Sequence, residues 1–440
     1  MPTIAGLIFI GAAVYFASRG AAAFFGLLIF SAIFPATSVM NFGSLWIMPY
    51  YLLAPIFIAL QFRSAGMDMY RTHFRGRNLL ICFTLFGVFS ALVYPVVFSG
   101  IQVYSPRLGS SDETFYTFPL TFSIANLAQA AYLVVNALVL FAAASLPKSP
   151  RLEQQICNSI TAAFYFLTGT IGAELICIIL GVAFPYQIFE NGPVSPHFDL
   201  DLSSPAQRMH GTCGEPSYAG LILVGYFAAY FYRYYSGKGT SLKALIAAVA
   251  IFLIHSSSAI LAMVAVGVMI VVANSPIRFP GLLNVRRSFR LAPVLVLGAI
   301  SLTIPAVISV LQKWIFNKQD TGSFINRTTM DLYSYKILTD TYGIGVGLGS
   351  YRPSSLATSA LGNLGLFGAI LFFVLLVALS NGELQERRWM KWAVFAAVLD
   401  MCVAIPDITH PILWSFLALA VSLGQKKQEN RSFRLKQAEM

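Results

Sequence analysis

The sequence predicts an all-α, polytopic integral membrane protein with 11 to 13 transmembrane helices and two long periplasmic loops. Three observations carry that reading. Of the 440 residues, 57% are hydrophobic and only 11% are charged, under half the charged share of an ordinary soluble domain. The apolar residues gather in runs near the roughly 20-residue length that a helix needs to cross the hydrocarbon core. The basic residues fall on alternate connections between those runs, as the positive-inside rule requires.

In chain order the apolar runs cover 2–18, 21–37, 46–62, 79–99, 120–145, 160–183 and 215–233, then 242–254, 256–274, 291–311, 355–379, 391–405 and 411–424. Lipid offers the backbone no hydrogen-bond partner, so each run is expected to be a helix or a protein-buried broken helix. The pair flanking His255 and the last two runs are short, which sets the lower bound of 11. Arg19, the Arg63 to Arg77 cluster, Lys148, Arg233, Arg286 and Arg387 mark the side predicted to be cytoplasmic, and 22 of the 29 basic residues lie there. The net charge of +11 is thereby explained by topology, and no nucleic-acid partner is expected. Residues 1–424 read as a single transmembrane domain and 425–440 as a basic cytoplasmic tail. The first run lacks the basic start of a cleavable signal and is expected to stay as a helix. Five scattered cysteines have no ligand spacing, so neither a disulfide framework nor a metal site is expected.

The two long outer loops, 184–214 and 312–354, hold most of the outer cations and are the natural place for a site. The first ends in RMHGTCGEPSYAG, 208–220. Glu215 or Ser217 can simply cap the following helix. Alternatively, Arg208, His210 and Glu215 together offer a cation for an anionic substrate and two groups able to move protons. In the second loop Arg327, Asp331, Tyr335 and Leu338 share one helical stripe, although Arg327 and Asp331 can be a plain i,i+4 pair. GIGVGLGS, 343–350, followed by Arg352, lacks the pattern of a nucleotide phosphate loop. Its glycines suit either a flexible turn or a backbone cradle for phosphate. Elsewhere, Glu174 is expected to face the protein interior, Asp400, Asp407 and His410 read as a turn near an outer helix end, and His255 as a polar turn between two short helices.

Three stretches together resemble the O-antigen ligase and O-antigen polymerase superfamily, on the exopolysaccharide polymerase branch. RMHGTCGEPSYAG resembles the family's Arg, Gly-rich turn and EPS before a membrane helix. HSSSAILAMVAVG, 255–267, is similar to its TGSRxA region, with Ser257 or Ser258 where the family carries Arg. NRTTMDLYSYKILTDTYGIGVGLGSYRPSSLATSALGNLGLFG, 326–368, follows its order of Arg, amphipathic helix, GxGxGS and GxxG. The likeness covers roughly 205–375. The His-Asn pair of the ligase branch is replaced by Ser354, Ser355, Ser359 and Asn363, which points to a repeat-unit polymerase.

The resemblance implies inverting transfer of a glycan from an undecaprenyl-diphosphate carrier to a sugar hydroxyl in the periplasm, at the inner membrane, without nucleotide, metal or other cofactor. It implies a glycan acceptor, membrane lipids, and flippase, chain-length or export proteins as partners. On residue chemistry Arg208, Arg327 and Arg352 stabilise the leaving diphosphate, Glu215 is the first-choice base, His210 the second, and Asp331 an orienting group. Arg352, Gly347, Gly349, Ser350 and Ser217 complete the expected substrate contacts. The competing reading is a lipid-linked oligosaccharide flippase or other polysaccharide transporter, which needs charges in membrane-centred cavities.

Overall fold

Helix starts follow local capping chemistry. Thr3 accepts the Gly6 N–H to open α1 (Ile4–Ser18), Pro49 and Pro150 occupy first-turn positions of α3 (Pro49–Ala65) and α7 (Pro150–Leu180), and Ser123 with Asn126 forms a capping box for α6 (Ile124–Ala144). The computed structural model describes residues 2–42, 45–104, 117–192, 208–274, 322–381 and 388–423. The other helices are α2 (Ala21–Ser31), α4 (Asp68–Arg71), α5 (Arg77–Val97), α8 (Pro216–Tyr235), α9 (Ser241–Leu253), α10 (Ser257–Asn274), α11 (Gly322–Asp340), α12 (Leu356–Ser380), α13 (Arg388–Ala404) and α14 (Pro411–Leu423). A short 3-10 helix (Tyr186–Ile188) and two small antiparallel pairs complete the described elements: β1 (Met40–Phe42) with β2 (Leu45–Ile47), and β3 (Gln102–Tyr104) with β4 (Thr117–Pro119).

The molecule is a polytopic helical protein with several apolar helices of membrane length, but the expected count of 11 to 13 crossings is overturned. Among the described residues five helices are long and apolar enough to cross: α5, α6, α7, α10 and α12. For four of the helices the reason is length. Helices α1, α2, α9 and α14 have 15, 11, 13 and 13 residues, and 13 residues rise only about 20 Å against a core of about 30 Å. Hydropathy counted whole apolar runs, whereas the helices stop inside them: α2 ends at Ser31, before Pro35, and α9 is cut from α10 at His255, which has φ 52°. The expected run 291–311 and the tail 425–440 lie outside the described residues, as do 193–207 and 312–321 of the two long loops.

Of the short helices α2 and α14 are buried among their neighbours, whereas α1 and α9 expose apolar side chains such as Leu7 and Leu245. α14 is buried along its whole length, and α8, buried nearly throughout, is wrapped by α9, α10 and α13. By contrast α5, α7 and α10 each present large exposed apolar side chains such as Leu85, Ile179 and Val264, the composition of a surface that meets acyl chains.

One break positions the site. Gly365, at φ 69° and ψ −174°, interrupts α12 and frees backbone groups that a membrane protein must satisfy internally. The 343–350 segment lies across the break and does so: Leu366 N–H donates to Gly343 O at 2.9 Å, Val346 N–H to Gly362 O at 2.9 Å and Gly347 N–H to Asn363 O at 2.8 Å. All four glycines of this strap have positive φ. A Cβ on Gly347 meets Ser90 O of α5 at 2.5 Å and one on Gly349 meets Ala125 O of α6 at 2.8 Å. Gly347→Ala is therefore strained twice, by conformation and by contact, at roughly 1–3 kcal/mol for the backbone alone. It should lower the thermal midpoint in detergent, while Gly169→Ala, in open space on α7, should leave it unchanged or raised; equal midpoints for both variants defeat the strap argument.

Candidate functional site

A cavity of about 630 Å³ opens where one set of helix ends meets. Its walls come from the β1–β2 hairpin, the first turns of α3, α6 and α8, the end of the strap, and the α13–α14 connection. Every one of these ends belongs to the side poor in basic residues. The opposite ends gather the basic cluster: Arg75 Nη1 donates to Asn381 O after α12 at 3.3 Å, and Arg233 lies 5.6 Å over the Trp389 ring at the start of α13.

Glu215 lines the cavity at the N-cap position of α8. Its backbone is extended because Pro216 follows, and its carboxylate makes no capping bond. Instead Ser217 Oγ donates to Glu215 Oε2 at 2.9 Å. Ser217 is thus occupied in fixing Glu215 and is not itself a cavity residue. The carboxylate stays available, half-buried, and favourably placed beside the positive end of α8.

The arginines are distributed around Glu215. Arg208 is exposed and anchored by an Nη2 bond of 3.1 Å to His255 O, so the 255–258 turn serves the first loop as a docking point. Surrounding protein first, and the like charge of exposed Arg327 second, lower the Arg208 pKa, with Glu215 opposing them. Arg208 and Arg327 therefore stand within electrostatic reach of each other across two distant segments. Arg352 faces the cavity from the strap and donates to Asp407 Oδ2 at 3.3 Å and to the Tyr218 hydroxyl at 3.2 Å. Its pKa is raised, chiefly by Asp407, and Glu215 adds to the rise.

The remaining expected residues have other tasks. Asp331 accepts from Ser354 N–H at 2.9 Å, Ser354 Oγ at 2.7 Å, Ser355 N–H at 3.2 Å and Thr358 Oγ1 at 2.8 Å. It clamps α11 to the start of α12 rather than pairing with Arg327 or facing a substrate. Gly347 packs on α5, while Gly349 and Ser350 do line the cavity. Ser350 Oγ accepts from Asn126 Nδ2 at 2.7 Å. The strap's glycines answer to close packing and to the α12 break, not to a demonstrated anion cradle.

His210 lies behind the cavity, not in it, and is 3% exposed. Its Nδ1 is 3.1 Å from Glu190 Oε1, its ring packs 4.9 Å from that of Tyr186, and its backbone N–H donates to Glu174 Oε2 at 3.1 Å. Glu174 also accepts from Gly211 N–H at 2.9 Å and Tyr186 Oη at 2.6 Å. This acid therefore holds the 210–211 turn. Burial pushes His210 down to about 4, and burial with the Glu174 charge pushes Glu190 up to about 8, so both are neutral at pH 7.

Sequence reading took Asp400, Asp407 and His410 for a turn, and missed Tyr218. The structure buries Asp400 inside α13 and makes Asp407, His410 and Tyr218 cavity residues. Tyr218 Oη donates to Asp407 Oδ2 at 3.1 Å, and its ring stacks on His410 at 5.2 Å and 14°. Burial raises Asp407, but Arg352 and the Tyr218 hydrogen bond outweigh it and hold the carboxylate below its usual range. His410 is pushed down to about 4 by burial, and its Nδ1 accepts the Ile412 N–H at 3.3 Å to cap α14. The available signal was position: an acid and a histidine beside Pro411 at an outer helix end, in a chain with few charges.

The buried Glu190 makes a pH prediction whose sign follows from proton binding. The folded state holds its proton up to about pH 8, while the unfolded chain releases it near 4.5. Stability from this group is full below 4.5 and falls as pH rises towards 8. His210 and His410 act oppositely, losing stability as pH falls from 6.5 towards 4, so between 6.5 and 8 the Glu190 contribution is read from the variant and not from the wild-type slope alone. Wild type should have a lower denaturation midpoint at pH 8 than at 6.5, and Glu190→Gln should flatten that difference; an undiminished slope in the variant refutes the assignment.

Comparison with known proteins returns no matching family model and no matching curated protein.

Proposed function

We propose that this protein transfers a glycan from an undecaprenyl-diphosphate-linked oligosaccharide to a sugar hydroxyl, polymerising O-antigen or exopolysaccharide repeat units at the periplasmic face of the bacterial inner membrane. The observation that carries this reading is the convergence on Glu215. A carboxylate fixed by Ser217 lines a cavity at the non-basic end of the helices, within the field of Arg208 and Arg352, and Arg208 lies under the charge of Arg327.

The chemistry fits those groups. Two like-charged guanidiniums held near one another are unfavourable until an anion lies between them, and a lipid diphosphate supplies one. As the anomeric C–O bond breaks, its electron pair passes to the diphosphate, where Arg208 and Arg327 stabilise the growing charge. The acceptor oxygen forms the new bond from the opposite face, and its proton passes to Glu215. Direct attack inverts the anomeric configuration. Arg352 is held by Asp407 and Tyr218, so its role is to shape the field at Glu215 rather than to grip phosphate. The partners that this reading entails are the lipid-linked glycan, the acceptor glycan, and flippase, chain-length or export proteins.

Glu174, one intramembrane acid that a transport reading could use, has both oxygens engaged in holding the 210–211 turn, which favours transfer over transport at that residue. Purified protein supplied with lipid-linked repeat units should build a polymer ladder. Glu215→Gln should slow elongation by about a hundredfold or more, the scale of a lost general base, and Arg327→Ala should weaken use of the lipid-linked donor. His210→Gln should retain elongation wherever the variant folds. Normal ladders from Glu215→Gln, or products of retained configuration, sink the mechanism.

A further inference from the structure

Glu215, Arg352, Asp407 and His410 form one corner of the cavity, but another wall is aromatic and uncharged. Trp46, from β2, Tyr51, from the start of α3, and Tyr132, more than two turns into α6, line it. Tyr51 and Tyr132 are stacked with centroids 4.0 Å apart at 18°. The pair is locked from behind: Tyr51 Oη donates to Thr409 O at 2.6 Å, and Asn136 Nδ2 donates to Tyr51 Oη at 3.3 Å and to Thr409 O at 3.0 Å. Trp46 is backed by Gly192, where a Cβ would approach the indole to 3.3 Å. Beside them Gln129 accepts the Thr409 hydroxyl through Oε1 at 2.6 Å, which leaves its amide nitrogen to donate.

We infer that this wall is a saccharide subsite that takes an uncharged pyranose ring of the glycan, with Trp46 and Tyr132 as stacking platforms and Gln129 as a hydroxyl donor. Rigid aromatic faces in a polar cavity match the C–H face of a sugar, which is apolar in the middle and ringed by hydroxyls. A purely lipid-binding wall has no use for a fixed amide donor. The charges of the cavity also select against acidic sugars here. Arg352, the cation of the lining, is already paired with Asp407, so a uronate carboxylate would meet Glu215 and Asp407 without a free partner. Placing the ring on this wall sets it beside Glu215 as the acceptor unit, an assignment that rests on the glycosyl-transfer reading above.

The test uses the full-length protein in detergent and a probe panel of methyl glycosides of glucose, galactose, mannose and N-acetylglucosamine, with glucuronate and galacturonate as charged counterparts. Saturable quenching of tryptophan fluorescence by at least one neutral glycoside is expected, absent in Trp46→Phe and weaker for the uronates. Tyr132→Ala should weaken binding by about tenfold, the scale of one lost ring contact, and Tyr132→Phe should restore it. In elongation assays Tyr132→Ala should raise the acceptor KM more than it lowers kcat. No quenching by any neutral glycoside, equal binding of uronates, or quenching indifferent to Tyr132→Ala overturns the subsite. If elongation proceeds while those binding results fail, the subsite falls and glycosyl transfer stands. If glycosides bind as described and no polymer forms, the subsite stands and the transfer reading falls.

Discussion

A helix broken inside a membrane protein cannot leave its freed N–H and C=O groups without partners, and in this molecule that constraint organises the site. The break in α12 at Gly365 is satisfied by the 343–350 strap, whose own conformation is possible because its glycines occupy positive φ. The strap in turn reaches α5 and α6 at distances that admit no side chain on Gly347 or Gly349. Its far end is pinned as well: Tyr351 N–H donates to Asn363 Oδ1 at 2.9 Å, and the Tyr351 hydroxyl donates to Met330 O of α11. Arg352 follows directly. Its guanidinium is therefore delivered to the cavity by backbone that is hydrogen-bonded on both sides, which is the rigidity that electrostatic preorganisation requires.

Electrostatic economy then separates the roles of similar residues. Asp407 and Arg352 neutralise each other and form a fixed dipole at the cavity wall. Asp331 is engaged by four donors at the start of α12. Glu215 accepts one hydroxyl and keeps lone pairs free. Arg208 gives one hydrogen bond to a backbone carbonyl, and neither it nor Arg327 has a carboxylate partner among the described ion pairs. Groups that retain unspent capacity at the edge of a cavity are those that a ligand can engage.

Much of this was legible in the chain itself, and the parts that were not share a cause. The alternation of basic residues divides the helix ends into two sets, and the cavity opens among the ends of the set poor in basic residues. The apolar runs overcounted crossings because hydropathy does not distinguish burial in protein from burial in lipid, and α2 and α14 are buried among their neighbours. Arg327 and Asp331 had the spacing of a helical pair, but an exposed pair contributes only a few tenths of a kcal/mol, and the unsatisfied start of α12 is a stronger claim on the carboxylate. The strap glycines looked like a turn or a phosphate cradle since only contact with α5, α6 and α12 reveals why a side chain is forbidden. Asp407, His410 and Tyr218 come together through packing of α8 against the α13–α14 connection, which no local spacing encodes.

The difference between Glu215 and the acids behind it shows how one short segment carries both scaffold and chemistry. Residues 208–215 run from an anchored arginine to the cap of α8, and the middle of the run is fixed by Glu174, which accepts two successive backbone N–H groups. Glu190 and His210 fill the space beside it as a neutral pair, so the base expected at His210 packs against the turn instead. A charged Glu190 there would oppose Glu174 without a compensating cation, which is why burial and that neighbour both favour its protonated form. Fixing the middle of the segment fixes its two ends, Arg208 against the His255 carbonyl and Glu215 at the mouth of the cavity. A proton-accepting group must be reachable by the group it deprotonates, and of the three glutamates near this turn Glu215 is the one that the fold leaves half-exposed and lining the cavity.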